Sequence, residues 1–454
     1  MRFLFYSTSS SKYDGTATET ISLPPWASQW EKLANSFPTH EFIIATHLPG
    51  MFLLDLCGNE IAQKSSKIQY YIIKNDKEKE IAAELSVLKA DIAIALSFYV
   101  MPYDWLSVKD SVVADFLRSN GIKTICHSVE TSLICFDKWR CHLFLEKAGI
   151  TCAKAEYLHH ELYINAGNRR ELKSNVYADA VFHQIKKLSF PAIIKDTVGL
   201  SSFGADVVNS YDEAVGILHS KKTTSDRIIE EMISGEQFGC EIYGTYSEEK
   251  NSGSYTILPP FMFSVNQYGI TSPKQSVKIG PFLEENPSQN EKYKLTELKN
   301  QLLKLALALK LNGIAQIDLV FDGKKWFVIE INPRLSGMST TYAASHGFSL
   351  AEMIFRTLFT SRFPLLSPSL NLKFPILEKQ RLSELASVPY IVFVNQIENK
   401  AAKQIREQGY CEVILTGKTA AELQENLLDL KEKFSDVCEK EFFLKAKRMC
   451  EKLS

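Results

Sequence analysis

Three oxygen-bearing side chains, Asp318, Glu330 and Asn332, fall on two neighbouring apolar runs, 314–321 and 326–332. In a strand, residues two apart share a face. Glu330 and Asn332 therefore point one way, with Phe327, Ile329 and Ile331 on the other. On the partner run Gln316 and Asp318 share a face, opposite Ile317, Leu319 and Phe321. Any half-exposed hairpin shows such alternation. Here, however, the polar face carries carboxylates and an amide oxygen, the hard donors magnesium takes when it bridges phosphates. Acids gathered on one face also repel each other unless cations are near. The second run ends in Asn332-Pro333-Arg334-Leu335-Ser336-Gly337, a turn that sets a guanidinium beside the acids. Asp322-Gly323 would make a good two-residue hairpin turn, but it would pair Asp318 with Phe327, on the wrong face. Facing Asp318 with Glu330 takes a bulge or an odd loop; an odd loop is the expectation.

A second signal is a strand, 191–195, that ends in Lys195 and runs into Asp196-Thr197-Val198-Gly199-Leu200-Ser201-Ser202-Phe203-Gly204. Backbone N–H groups, serine hydroxyls and a lysine can cradle phosphate oxygens. The spacing of a P-loop is absent. A third signal is 228–236, where an apolar strand ends in Glu230 and Glu231, followed by Met232 and Ile233. Edge backbone groups there can bond a purine and an acid can hold ribose hydroxyls, although a solvated strand end reads the same way.

The elements that must position these residues follow from periodicity. Short apolar runs at 1–6, 42–45, 68–73, 90–96 and 123–125 alternate with helical patterns, which argues for a parallel sheet covered by helices. Asp137 is a plausible N-cap for a helix over 138–147, with Gly149 as its stop. From residue 190 the pattern turns β-rich, with strands at 192–195, 206–208, 227–232, 238–244 and 254–258. Leu295, Leu298, Leu302, Leu305 and Leu309 recur at helical spacing, predicting one amphipathic helix over 293–311. Another helix is expected at 350–360. Residues 364–375, rich in proline and serine, read as a linker. Beyond them a strand (390–394), a helix (400–408), a strand (412–415) and a Lys/Glu-rich helix read as a small α/β appendage. His127 is read as structural and His159-His160 as surface.

Composition sets outer bounds. The chain has 454 residues, 45% hydrophobic and 23% charged, with 52 Lys and Arg against 53 Asp and Glu. This is ordinary globular composition, and its near-neutral balance gives no reason to expect nucleic-acid binding. No apolar run approaches the ~20 residues of a membrane span. The apolar stretch after Arg2 is too short for an export signal. Nine scattered cysteines without C-x-x-C spacing read as thiols in a reducing compartment, so a cytoplasmic protein with no membrane partner is expected.

In their order and spacing, the signals over about residues 120–350 resemble the ATP-grasp superfamily of carboxylate–amine ligases. The feel is nearest to the L-amino-acid ligases (dipeptide synthetases), and more distant from D-alanine–D-alanine ligases and biotin carboxylases. D-alanine–D-alanine ligases normally lack both the appendage and an arginine after Asn-Pro. The resemblance implies an α/β and α+β molecule: an N-terminal doubly wound α/β domain (1–125), a central subdomain with a phosphate lid (126–245), a C-terminal ATP-grasp subdomain with the metal site (246–365) and the appendage (366–454). It implies ATP held by Lys138 and Lys195, by Ser201, Ser202 and Gly204 of the loop, and by Glu230, Glu231, Met232 and Ile233 at the adenine hinge. Glu236 and Gln237 are the nearest positions to the ribose glutamate, out of step by one. Asp318, Glu330 and Asn332 match the ligands of Mg2+, or of Mn2+ in its place. Arg334 and Lys195 are the implied catalytic cations. The implied activity joins a carboxylate to an amine through an acyl phosphate, making a dipeptide or an amino-acid conjugate, with small-molecule partners (carboxylate and amine substrates, both read as amino acids) and a homodimer as the assembly suggested by relatives. A bicarbonate-activating enzyme and a non-catalytic nucleotide-binding regulator are the alternatives.

Overall fold

The computed structural model describes residues 1–9, 18–48, 53–57, 60–98, 105–164, 175–199, 205–219, 224–266, 275–360, 366–399, 409–437 and 440–453. The N-terminal part is a five-stranded sheet in the order Gln69–Ile72, Glu41–Thr46, Arg2–Ser7, Ile92–Ala95, Lys123–Ile125, parallel throughout. Its strands read as unbroken apolar runs because both faces are covered. Leu4, Tyr6 and Ile43 pack on the helices Glu78–Ser86 and Leu106–Ser119, while Phe3, Phe5 and Phe42 pack with Trp30 of the helix Trp26–Ser36.

A four-stranded antiparallel sheet follows, ordered Asp206–Val208, Ala192–Asp196, Arg227–Glu231, Ala155–Leu158. Ala192, Ile194 and Ile229 turn to the helices Val176–Ile185 and Tyr211–Leu218. The alternation of a strand then sends Ile193, Lys195 and Glu230 to the other face.

The third sheet is the largest. It runs Trp326–Asn332, Gly313–Phe321, Glu236–Ser247, Phe261–Phe263, Ser276–Gly280, Ser369–Phe374, Gly409–Thr416, Ile391–Asn399, Thr18–Leu23, Asp55–Cys57, Glu60–Gln63, with Ser252–Ile257 paired to Glu236–Ser247. One face is apolar: Phe238, Ile317, Ile279, Leu370 and Val413 pack under the helices Leu295–Ala308, Ala420–Lys433 and Lys440–Cys450.

Four expectations change. The stretch read as a linker contains the strand Ser369–Phe374, and the strands expected as a separate appendage are hydrogen-bonded into the sheet that bears Asp318 and Glu330. The helix expected over 293–311 is two helices, Pro287–Tyr293 and Leu295–Ala308, divided at Lys294, whose φ of 51° breaks the helical path. The hairpin after Phe321 has a four-residue loop, not an odd one. Phe321 pairs with Trp326, and a bulge between Asp318 and Leu319 restores Asp318 opposite Glu330. The strand Thr18–Leu23 was not anticipated. The helix expected at 400–408 lies outside the described residues.

His127 joins the N-terminal sheet to the large one. Its Nε2 donates to the Ile314 carbonyl (2.8 Å), and its Nδ1 accepts from the Asn312 N–H (3.2 Å). Burial holds its pKa down at about 4, so the ring is a neutral structural link. The eight described cysteines are free thiols. Among the described residues no helix is long and apolar enough to cross a membrane.

Candidate active site

Two sheets face each other across a cavity of about 150 Å³ lined by Lys138, Lys195, Glu230 and Glu330 at its polar end and by Ile193, Met232 and Val328 elsewhere. Each polar group is delivered by a local rule. Asp137 caps the helix Lys138–Lys147, its carboxylate accepting from the N–H groups of Trp139 (2.9 Å) and Arg140 (3.1 Å). The Lys138 N–H donates to the Thr197 carbonyl (2.7 Å), which ties the helix start to the loop after Ala192–Asp196. The Lys138 ammonium then bridges two layers. It donates to the Gly199 carbonyl (2.9 Å) and lies 3.2 Å from Glu330 Oε1. Lys195 pairs with Glu230 on the adjacent strand.

Glu330 stands directly opposite Asp318, and Asn332 opposite Gln316. Gln316 Nε2 donates to Asp318 Oδ1 (2.6 Å). Arg334 folds back along its own turn, donating to Asn332 Oδ1 (3.1 Å) and to the Leu335 carbonyl (3.0 Å). The two facing carboxyls differ in charge state. Burial alone would raise Glu330, but Lys138 and Lys195, with Arg334, outweigh it and hold the group below the usual range. Asp318 is lifted to about 7 by burial and by the neighbouring Glu330 charge. A pair of acids in which one resists ionisation lacks positive charge. Among the described residues no three His, Cys, Asp or Glu side chains converge on a metal position; the third donor here is the Asn332 amide. Two carboxylates and an amide oxygen are donors that fit a hard divalent cation.

The other expected residues divide. Glu231, Met232, Ile233 and Gln237 line the same cavity. The Met232 N–H, expected to be available to a base, is taken by the Pro191 carbonyl (2.9 Å). Among the described residues the N–H of Ile233 makes no hydrogen bond. Glu236 turns out of the cavity to pair with Lys452 of the C-terminal segment, so of the two ribose candidates only Gln237 faces inward. Ser201, Ser202 and Gly204 lie outside the described residues.

One residue that carries the site was missed. Glu241 is fully buried beneath the Arg334 turn, accepting from Ser336 Oγ (2.8 Å), Ser339 Oγ (2.6 Å) and Tyr243 OH (2.8 Å). The available signal was its position: an acid alternating with Phe238, Cys240 and Ile242 must face inward on the polar side. Burial raises its pKa from 4.5 to about 7 despite those hydroxyls and Lys278. With the folded pKa raised, the protonated form contributes stability that is complete below the ordinary carboxyl range and lost as pH rises through about 7. The wild type should therefore lose on the order of 3 kcal/mol across that window relative to Glu241→Gln. Thermal melts of both proteins from about pH 4 to pH 8 check this. Parallel curves would refute it, because Asp318 titrates in both.

An antiparallel sheet that brings Lys195, opposed to a larger sheet that brings the facing acids, with Lys138 at a helix start between them, has the arrangement of the ATP-grasp fold. In fold and in sequence the chain is similar to ATP-grasp ligases. Residues 144–359 match the family model described as D-ala D-ala ligase C-terminus. A D-alanine--D-alanine ligase of Fervidobacterium nodosum is 22% identical over 299 residues, spanning 65% of this chain and 89% of the relative. Among solved structures, an L-amino acid ligase from Bacillus licheniformis superposes with a TM-score of 0.61 at 14% identity, covering 95% of this chain and 97% of the other. N5-carboxyaminoimidazole ribonucleotide synthetase from Thermus thermophilus also gives a TM-score of 0.61, at 12% identity, with 97% and 100% covered. At such identities the solved structures establish the fold alone.

Proposed function

We propose that the protein joins a carboxylate, of amino-acid type, to an amine, with ATP cleaved to ADP and phosphate. The observation that carries this reading is the Lys138 bridge. One ammonium touches both the loop after the Lys195 strand and Glu330, beside the Glu330–Asp318 pair. A triphosphate laid in that cleft meets Lys195 of the smaller sheet, Lys138 at its helix start and the acids of the larger sheet.

The apolar end of the cavity and the Ile233 N–H suit a purine. Gln237, which lines the cavity, would bond the ribose hydroxyls. Lys138 and Lys195 neutralise phosphate oxygens. Asp318, Glu330 and Asn332 would hold Mg2+, which supplies charge neutralisation across the phosphates when bound. An oxygen of the substrate carboxylate attacks the γ-phosphorus. The bond from that phosphorus to the ADP oxygen breaks, leaving an acyl phosphate and ADP. A neutral amine then attacks the acyl carbon, phosphate departs with the C–O electron pair, and the proton lost from the amine nitrogen leaves on that phosphate. Arg334, held by Asn332 and Leu335, is placed to stabilise the tetrahedral oxyanion. Positioning and charge compensation carry most of such a reaction.

Phosphate release from ATP across a matrix of acids and amines tests the proposal. Release that requires one of each supports it. Release with bicarbonate alone favours the carboxylating alternative, and no release with any combination favours a nucleotide-binding regulator.

A further inference from the structure

A short strip of chain tied to both facing sheets carries a thiol. The Thr151 carbonyl accepts from the Val328 N–H (2.9 Å) of the larger sheet, and the Lys154 carbonyl accepts from the Glu231 N–H (2.9 Å) of the smaller one. Cys152 and Ala153, between those two anchors, line the cavity together with Lys138, Lys195 and Glu230. Cys135 and Cys141 line it too, but they are buried, whereas Cys152 is only half-buried.

Cys152 has a base beside it. Its Sγ lies 3.8 Å from His142 Nδ1, within reach of a sulfur hydrogen bond. On the other side of the ring, Nε2 lies 3.5 Å from Glu146 Oε1. His142 and Glu146 are four residues apart on the helix Lys138–Lys147 and so share a face. The imidazole is buried and stacked on Trp139, with ring centres 5.2 Å apart and planes at 14°. A carboxylate at Nε2 favours the proton there, which leaves the Nδ1 lone pair facing the thiol. A nucleophile, a base and a group that orients the base, in that order, are what activates a weak nucleophile. Both separations are those of a relay at rest, which tightens when a reactant arrives.

The thiol needs that base. Burial, with the charges of Glu146 and Glu230, lifts the Cys152 thiol to about 11, so almost none of it is thiolate at neutral pH. Attack on a disulfide takes a thiolate, so the proton has to move as the sulfur attacks. Among the described residues no other cysteine has a histidine within hydrogen-bond reach. Burial raises the Cys135 and Cys141 thiols as well. Cys57 is exposed. Exposure and activation therefore point to different cysteines.

We infer that Cys152 is a site of thiol–disulfide exchange with a small disulfide of the glutathione type, and that the mixed disulfide closes the cavity to nucleotide. The Cys152 proton passes to His142 Nδ1 as the sulfur attacks one sulfur of the disulfide. The S–S bond of the reagent breaks, a new one forms to Cys152, and the departing thiolate takes the proton from His142. The protein thiol is oxidised and the departing half of the reagent is reduced. A thiol reductant runs the step backwards. The adduct stands on the strip between the sheets, inside the cavity that Lys138, Lys195 and Met232 also line. The exchange rests on Cys152, His142 and Glu146 alone, whereas the exclusion of nucleotide rests on the ligase reading above.

The experiment treats the wild type, Cys152→Ser, His142→Gln and Glu146→Gln with glutathione disulfide and follows the adduct on each cysteine by peptide mass spectrometry. The exposed Cys57 is the internal benchmark. In the wild type Cys152 should be modified at a rate comparable to Cys57. The non-hydrolysable ATP analogue AMP-PNP at ten times its Kd should slow Cys152 by about tenfold and leave Cys57 unchanged. His142→Gln should slow Cys152 by about tenfold or more, again without effect on Cys57. Glu146→Gln, at an exposed position, should slow it less, and serves alone if His142→Gln fails to fold by its melting curve. Equilibrium dialysis of radiolabelled AMP-PNP should show binding lost on modification, restored by dithiothreitol, and insensitive to the disulfide in Cys152→Ser. Modification confined to Cys57, or a Cys152 rate indifferent to both His142 and Glu146, overturns the exchange. Modified protein that still binds AMP-PNP overturns the closure. If the unmodified wild type binds no AMP-PNP, the ligase reading fails and the closure with it, while the adduct rates still decide the exchange.

Discussion

Glu330→Gln should leave the chain folded and lower ATP turnover by about 10³-fold or more. The substitution keeps shape and hydrogen-bonding capacity, and the adjoining Ile331 stays on the core side of its strand. What disappears is a charge with three dependants. Lys138 loses its carboxylate at 3.2 Å and, among the described residues, retains the Gly199 carbonyl. Lys195 keeps Glu230 but loses the second anion that raises its pKa. Asp318 loses the neighbour whose charge helps hold its carboxyl near 7, so it should ionise at lower pH in the variant. That shift gives a readout apart from activity: the carboxyl resonance of Asp318, followed by 13C NMR of labelled protein, should titrate at lower pH. Phosphate release at saturating ATP and magnesium measures the main effect. Turnover within a few-fold of wild type would remove Glu330 from the metal and phosphate machinery, whatever the fold.

The readable parts of this chain are those where local pattern and tertiary environment agree. The strands Arg2–Ser7 and Glu41–Thr46 are buried on both faces, so apolar runs mark them directly. Asp318, Glu330 and Asn332 are legible because alternation alone puts them on one face. Their register is less so. A four-residue turn chosen for Asp322 would misalign the acids, and the bulge beside Leu319 that corrects it has no marker such as glycine. Long-range pairing hides most of what is missed. Thr18–Leu23 forms a strand only because it meets Ile391–Asn399 from the far end of the chain. Ser369, Asn371 and Lys373 look like linker polarity until the sheet supplies partners for Leu370 and Leu372 on the opposite face. At the hinge a single residue matters. Glu236 has the expected chemistry but points to Lys452, and the inward position falls to Gln237. Sequence spacing cannot resolve that step, because strand direction fixes the face only once register is known.

The second large effect belongs to Arg334. Arg334→Met should lower kcat by about 10² to 10³, or about 3–4 kcal/mol, with KM for ATP little changed. The nucleotide cavity is lined from the Lys138, Lys195 and Glu230 side, and Arg334 takes no part in that lining. Its guanidinium is instead fixed beyond Glu330 by two bonds, to Asn332 Oδ1 and to the carbonyl of Leu335. A donor already held in position has little to reorganise when charge develops on an acyl oxygen, which is where preorganised groups contribute most. The buried Glu241 supports this placement, since it holds Ser336 and Ser339 directly after the Arg334 turn. Arg334→Lys should recover only part of the rate. A lysine keeps the charge but lacks the planar fork that meets both acceptors. The split between kcat and KM decides the role. A fall confined to kcat marks an interaction made in the transition state, whereas a rise in KM for the acid with kcat intact would make Arg334 an anchor for the ground-state carboxylate. A rate within a few-fold of wild type on both measures would exclude it from the chemistry and leave the oxyanion without a donor among the residues named here.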